Sequence, residues 1–159
     1  MKPAPSGIAD EIRQVSAEHI PAILEIERLA YDFPWTEGLL RNCLKPNYYF
    51  YAQFRQEEII AYAIMSCMVN EAHILNLCVS PHYQQQGLGR QMLDYLLDKA
   101  RDEQSHIMFL EVRESNHIAQ SLYEKNGFNR LGNRRQYYPG EDGREDAVLY
   151  AKELLFNPV

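Results

Sequence analysis

Residues 75–100 read LNLCVSPHYQQQGLGRQMLDYLLDKA, and few folds accommodate such a stretch. Leu75, Leu77 and Val79 alternate with other residues at the period of a strand. Ser80-Pro81 then stops the ladder, because proline has no N–H to give. After a polar turn containing Gly87 and Gly89, Leu88, Met92, Leu96 and Ala100 recur every fourth residue, with Leu93 and Leu97 widening the stripe. That spacing predicts an amphipathic helix over Gly87–Gln104. Strand, glycine turn and helix together make an anion cradle. The first N–H groups of a helix lack partners, the dipole there favours negative charge, and glycine lets a phosphate approach the main chain.

The turn excludes the commonest phosphate binders. A dinucleotide fingerprint needs a third glycine where Met92 stands, and the Gly-Lys-Ser/Thr of a Walker loop is absent. What is present is Gln84-Gln85-Gln86-Gly87-Leu88-Gly89, or Q-x-x-G-x-G. Six residues are a short pattern, and two glycines opening a helix also serve as a plain turn. The neighbouring segments decide between these readings.

The 159 residues suit one domain that buries roughly two-thirds of its unfolded surface. A net charge of −6 disfavours direct nucleic-acid binding, which needs clustered Lys and Arg, and is compatible with a cationic partner or simply with solubility. Cys43, Cys67 and Cys78 form no C-x-x-C pair, and the five histidines are scattered, so no metal site is expected and a reducing compartment fits. The opening MKPAPSGIAD has no apolar core, and the longest apolar run, Ile59–Val69, is about half a membrane span. A soluble, cytoplasmic protein is expected, with no membrane partner.

Along the chain, residues 1–10 read as a disordered extension and residues 11–159 as the domain. Strands are expected at Glu11–Val15, Tyr48–Arg55, Ile59–Val69, Ala72–Val79 and His106–Val112, and as a final pair Phe128–Tyr138 and Ala147–Leu154 across Pro139–Gly143. Ser16 caps a helix carrying Ile20, Ile23, Leu24, Glu27 and Ala30, and Thr36 caps a short one with Leu39, Leu40 and Cys43. Ser115-Asn116 opens another through Ile118, Leu122 and Tyr123, closed by Asn126-Gly127 as a left-handed cap. This order argues an α+β or α/β domain built on a single sheet.

Taken with Q-x-x-G-x-G, the segments LEVRESNHIAQSLYEKNGF (Leu110–Phe128), RRQYYPGEDGREDAVLY (Arg134–Tyr150) and YDFPWTE (Tyr31–Glu37) resemble the GNAT N-acetyltransferases of the RimI type over about residues 12–155. The resemblance implies an α/β sandwich, a mixed and mostly antiparallel sheet of about seven strands flanked by about four helices. It implies acetyl-CoA as co-substrate and, as partner, the basic N-terminal peptide of a small-subunit ribosomal protein, acetylated on its N-terminal alanine. Carried over residue by residue, it gives Leu77, Cys78 and Val79 to the acetyl and pantetheine arm. Gln85, Gln86, Gly87, Leu88, Gly89 and Arg90 fall to the pyrophosphate, and Asn116 becomes a further hydrogen bond to the coenzyme. Glu111 becomes the general base and Tyr123 the general acid. Gln85 stands where the family often has Arg.

The residues are compatible with that chemistry without requiring it. Glu111 lies on the strand face opposite Met108, Leu110 and Val112, where a carboxylate could take a proton from an amine, yet it could equally pair with a neighbouring Arg. Tyr123 alone could be a packed core residue, and Asn116 alone a helix cap. An α-amine titrates about 2.6 units below lysine, so deprotonating lysine at neutral pH costs about 3.5 kcal/mol more. One carboxylate therefore suits an N-terminus without excluding lysine. Trp35, Tyr137 and Tyr138 are candidates for a substrate wall, and Asp32, Glu71, Asp142, Glu145 and Asp146 either attract a basic tail or form a solvated rim. Cys78 has no basic neighbour in sequence, which favours direct transfer over an acyl-enzyme. The alternatives are acetylation of lysines or a small amine and, in another class, an acetyl-CoA-binding regulator. A monomer is the simplest expectation.

Overall fold

The computed structural model describes residues 9–154; the proposed extension lies outside the described residues up to position 8. Strands β1 (Glu11–Gln14), β2 (Tyr48–Arg55), β3 (Glu58–Met68), β4 (Glu71–Val79), β5 (Ile107–Arg113), β6 (Asn129–Gly140) and β7 (Gly143–Glu153) form one sheet ordered β1-β2-β3-β4-β5-β7-β6. The helices are α1 (Ile20–Ala30), α2 (Glu37–Asn42), α3 (Leu88–Asp102) and α4 (His117–Lys125). The β4–β5 pair is parallel, while β1–β2, β2–β3, β5–β7 and β6–β7 are antiparallel. Its mixed, mostly antiparallel sheet and four helices agree with the expected α+β sandwich.

The chain divides into two compact units, residues 1–66 with 76–96 and residues 67–75 with 97–159. In the first, Pro21 opens α1 and the helix turns Ile20, Ile23, Leu24 and Glu27 inward as the spacing predicts, with Ile26 buried beside them and Ala30 only half-buried. The apolar side chains among these pack with Val15, Leu40, Phe50, Phe54, Tyr62 and Ile64. Asp32–Trp35 interrupts the helices, and Thr36 Oγ1 then accepts from the N–H of Leu39 at 3.2 Å to cap α2. Asp10 is held by a two-pronged ion pair to Arg55, so it belongs to the fold and not to the expected extension.

In the second unit, Met108, Leu110 and Val112 of β5 are buried and alternate with half-buried neighbours. Gly127 follows α4 with φ +88°, the left-handed stop expected there. The β6–β7 hairpin is longer than the sequence suggests. Pairing continues to Gly140↔Gly143 around a two-residue turn, Glu141-Asp142, where five residues of loop were expected. Gly143 has φ +111°, which an L side chain rarely adopts. Arg144 locks the flank by donating to the carbonyls of Gln136 and Tyr137, both at 2.7 Å.

Candidate active site

The end of β4, which belongs to the first unit, delivers Leu77, Cys78 and Val79 directly to the glycine turn. The strand's parallel register with β5 runs from Glu71↔Ile107 to Ile74↔Leu110, and β4 continues five residues further. The phenol of Tyr31 donates to the carbonyl of Leu77 at 3.2 Å. Cys78 is buried, and its thiol is pushed up to about 11, chiefly by loss of water. Burial also raises Cys43 and Cys67, and all three thiols are free.

Pro81–Tyr83 forms one tight turn after β4, and the chain then passes through left-handed conformations at Gln85 (φ +64°) and Gly87 (φ +78°). A side chain at Gly87 would meet no atom within 4 Å, so backbone conformation rather than crowding calls for glycine there. Such reversals point successive N–H groups into one concavity. Helix α3 begins at Leu88, and its first bond runs from the N–H of Gln91 to the carbonyl of Gly87 at 3.1 Å. Leu88, Gly89 and Arg90 therefore have no intrahelical acceptor, the condition for holding an anion. Beneath the turn, Tyr83 and Leu88 pack with Ile60 and Val79.

Trp35 is half-buried, and its N–H donates to Oε2 of Glu27 at 2.9 Å. Glu27 is only 1% exposed, and its Oε1 also accepts from the phenol of Tyr62 at 2.5 Å and from Nδ2 of Asn76 at 2.8 Å. Sequence reading placed Glu27 on the helix stripe but gave it no role; its partners come from a loop and two strands. A cavity of about 420 Å³ lies near α1 and the β2–β3 turn, lined by Glu25, Ile26, Phe54, Glu57 and His82 among others. It includes none of the candidate catalytic, coenzyme-binding or substrate-wall residues.

In the second unit, Tyr137 and Tyr138 lie beside Glu111. On half-buried β5 positions, Glu111 accepts an ion pair from Nε of Arg134 at 3.3 Å and a hydrogen bond from the phenol of Tyr137. Tyr138 packs edge-on to Tyr137 with ring centres 4.8 Å apart, and Arg113 lies 4.6 Å over the Tyr138 ring. Burial first, then the Glu111 charge, push the Tyr138 phenol up to about 12. The pairing of Glu111 with an arginine is the structural role weighed against catalysis, and the structure shows that pair, with Arg134 half-exposed.

Tyr123, on α4, is buried against Phe128 (5.5 Å between ring centres) and Tyr150 (6.4 Å). Burial raises its phenol well above the ordinary value, and Tyr138 adds to the shift. Asn116 caps α4: its Oδ1 accepts from the N–H of Ala119 at 3.1 Å. Two residues offered as an acidic rim are occupied inside the fold. Glu145 accepts from the N–H of Ser115 at 2.7 Å and from Arg113 at 3.2 Å, which holds its carboxyl below the usual range. Asp146 accepts from the N–H of Gln136 at 2.9 Å.

Comparison with known proteins gives these groups a family context. The acetyltransferase (GNAT) family matches residues 20–128. The [ribosomal protein bS18]-alanine N-acetyltransferase of Escherichia coli is 39% identical over 88% of this chain and 95% of its own length. The protein of the same name from Haemophilus ducreyi is 38% identical over 90% of this chain and 99% of its own. A crystal structure of the Escherichia coli ribosomal-protein-alanine N-acetyltransferase superposes with a TM-score of 0.88 at 36% identity, covering 94% of this chain and 97% of that one.

Proposed function

The chain belongs to the GNAT acetyltransferase family, and we propose that residues 11–159 work as one domain that acetylates a protein N-terminus, the N-terminal alanine of a small-subunit ribosomal protein. The observation that carries this reading is the cluster of Glu111, Tyr137, Tyr138 and Tyr123, a carboxylate beside phenols held in their protonated form. Support for the substrate comes from relatives that carry that name at 38–39% identity over nearly their whole length.

Acetyl-CoA supplies the acetyl thioester in this reaction. Its phosphates fit the turn at Gln85–Arg90, where left-handed residues and a helix start present main-chain donors without a compensating carboxylate in the turn itself. Leu77, Cys78 and Val79 offer strand backbone to the acyl arm. The Oδ1 of Asn116 is committed to Ala119, which leaves its amide N–H₂ for the coenzyme. Glu111 takes a proton from the attacking α-amine, directly or through a water, and Tyr123 gives its phenolic proton to the departing sulfur. Cys78 is a poor acyl carrier: with a thiol at about 11, only about 10⁻⁴ of it is thiolate at neutral pH. Direct transfer follows.

The test is mass spectrometry of two peptides incubated with enzyme and acetyl-CoA. Both begin Ala-Arg and contain one lysine, and one is blocked at its N-terminus. A single acetyl gained only by the free peptide is expected. Acetylation of both would make the protein a lysine or mixed acetyltransferase, and acetylation of neither would point to a small amine or to regulation. In the same assay, Glu111→Gln should lower kcat by about 10²-fold or more. A wild-type rate in that variant would leave Glu111 with only its structural pairing to Arg134.

A further inference from the structure

Arg55 ends β2 as a buried cation, 7% exposed. Its Nε and Nη2 donate to the two carboxylate oxygens of Asp10 at 2.8 and 2.9 Å, a fork-to-fork pair. Its remaining arm, Nη1, donates to Oε1 of Gln86 at 3.0 Å. Gln86 lies between the two left-handed residues of the glycine turn, Gln85 and Gly87. The guanidinium also lies 5.4 Å over the ring of Tyr83, whose phenol donates to Glu58 at 2.6 Å.

We propose that Asp10, Arg55 and Gln86 form a positioning relay that holds the glycine turn in its coenzyme-binding shape. The inference rests on reading that turn as the acetyl-CoA cradle. A non-glycine residue at positive φ persists only where its surroundings over-determine it, and Gln85 is such a residue. The neighbouring side chain, Gln86, is the one that the buried arginine grips. Only a guanidinium can serve both ends, because its planar fork engages the carboxylate with two N–H groups and leaves a third for the amide. Asp10 makes the grip affordable by neutralising a cation removed from water. Asp10 also precedes β1, outside the residues matched by the family, so the relay ties a segment peripheral to the family core to its coenzyme site. None of the three side chains needs to touch a reacting atom, so the relay governs coenzyme affinity rather than the chemical step.

The experiment compares full-length wild type with Asp10→Asn and Arg55→Lys. It measures CoA binding by calorimetry, KM for acetyl-CoA, KM for peptide, and kcat. Loss of a charge-assisted bond to the turn is expected to raise Kd for CoA and KM for acetyl-CoA about tenfold in Arg55→Lys and about threefold or more in Asp10→Asn. In both variants kcat should stay within about twofold and peptide KM should not change. Asp10 lies at the edge of the fold, so Asp10→Asn remains informative if Arg55→Lys folds poorly. Gln86→Leu on the Arg55→Lys background should weaken binding little further, since both remove the same contact. Folded variants with unchanged CoA affinity, or with kcat reduced and KM unaltered, would overturn the relay while leaving the cradle intact. A wild type that does not bind CoA at all would overturn the cradle reading and the relay together.

Discussion

Tyr123→Phe is expected to lower kcat by about 10²- to 10⁴-fold, the range for a lost general acid, while CoA affinity stays at the wild-type level. The substitution isolates the proton. The ring packs edge-on to Phe128 and tilted to Tyr150, contacts that phenylalanine keeps, and no described residue hydrogen-bonds the hydroxyl. The folded protein should therefore lose no stability, and circular dichroism and melting temperature check this. The raised phenol also fixes the pH dependence. An acid donates while protonated, and a value above the ordinary one extends the protonated range upward. Tyr123 should contribute no alkaline fall in kcat below about pH 10. A wild-type rate in Tyr123→Phe, or an alkaline limb near neutrality traced to Tyr123, would remove it from the reaction.

The largest effect on stability is expected at Glu27. Its carboxylate collects a loop N–H, a phenol and an amide at a site closed to water. Glu27→Ala leaves all three donors without an acceptor, each worth about 1–3 kcal/mol, and removes packing as well. Relief from burying a charge offsets part of this, so a net loss of about 3–5 kcal/mol follows. For a chain of this size that lowers Tm by about 10 °C, measurable by urea and thermal unfolding. Glu27→Gln should cost less, because the amide still offers one oxygen but turns donors toward donors. A loss below about 1 kcal/mol in Glu27→Ala would show that the three donors find other partners. The Trp35 loop should also become looser in Glu27→Gln, read as faster exchange of the Trp35 amide.

Features with a local cause are legible in the sequence. Strand β2, Tyr48–Arg55, shows as an aromatic run bounded by a polar turn, and β5 shows by its alternation. The Asn116 and Thr36 caps were visible from residue type and position. Features built from distant residues were not. Glu27 meets Tyr62 and Asn76 across 35 and 49 positions, so no sequence window reveals why a carboxylate sits on an apolar stripe. The hairpin runs further than its sequence shows because most of β6 is exposed, which erases the period-two signal. Glu111, Tyr137 and Tyr138 were each named from the sequence, but that the carboxylate binds one phenol and raises the other required the fold. Arg55 gave no signal, because its two partners lie 45 and 31 positions away.

Two of the three thiols, Cys43 and Cys78, are buried, and Cys67 is half-buried. Thiolate, not thiol, reacts with disulfides, alkylating agents and peroxide, and Cys43, Cys67 and Cys78 are all shifted toward the thiol form. Turnover can therefore be followed by colorimetric capture of the free coenzyme sulfhydryl with little background from the protein. For the same reason, thiol-directed oxidants should modify these cysteines more slowly than an exposed, acidic cysteine.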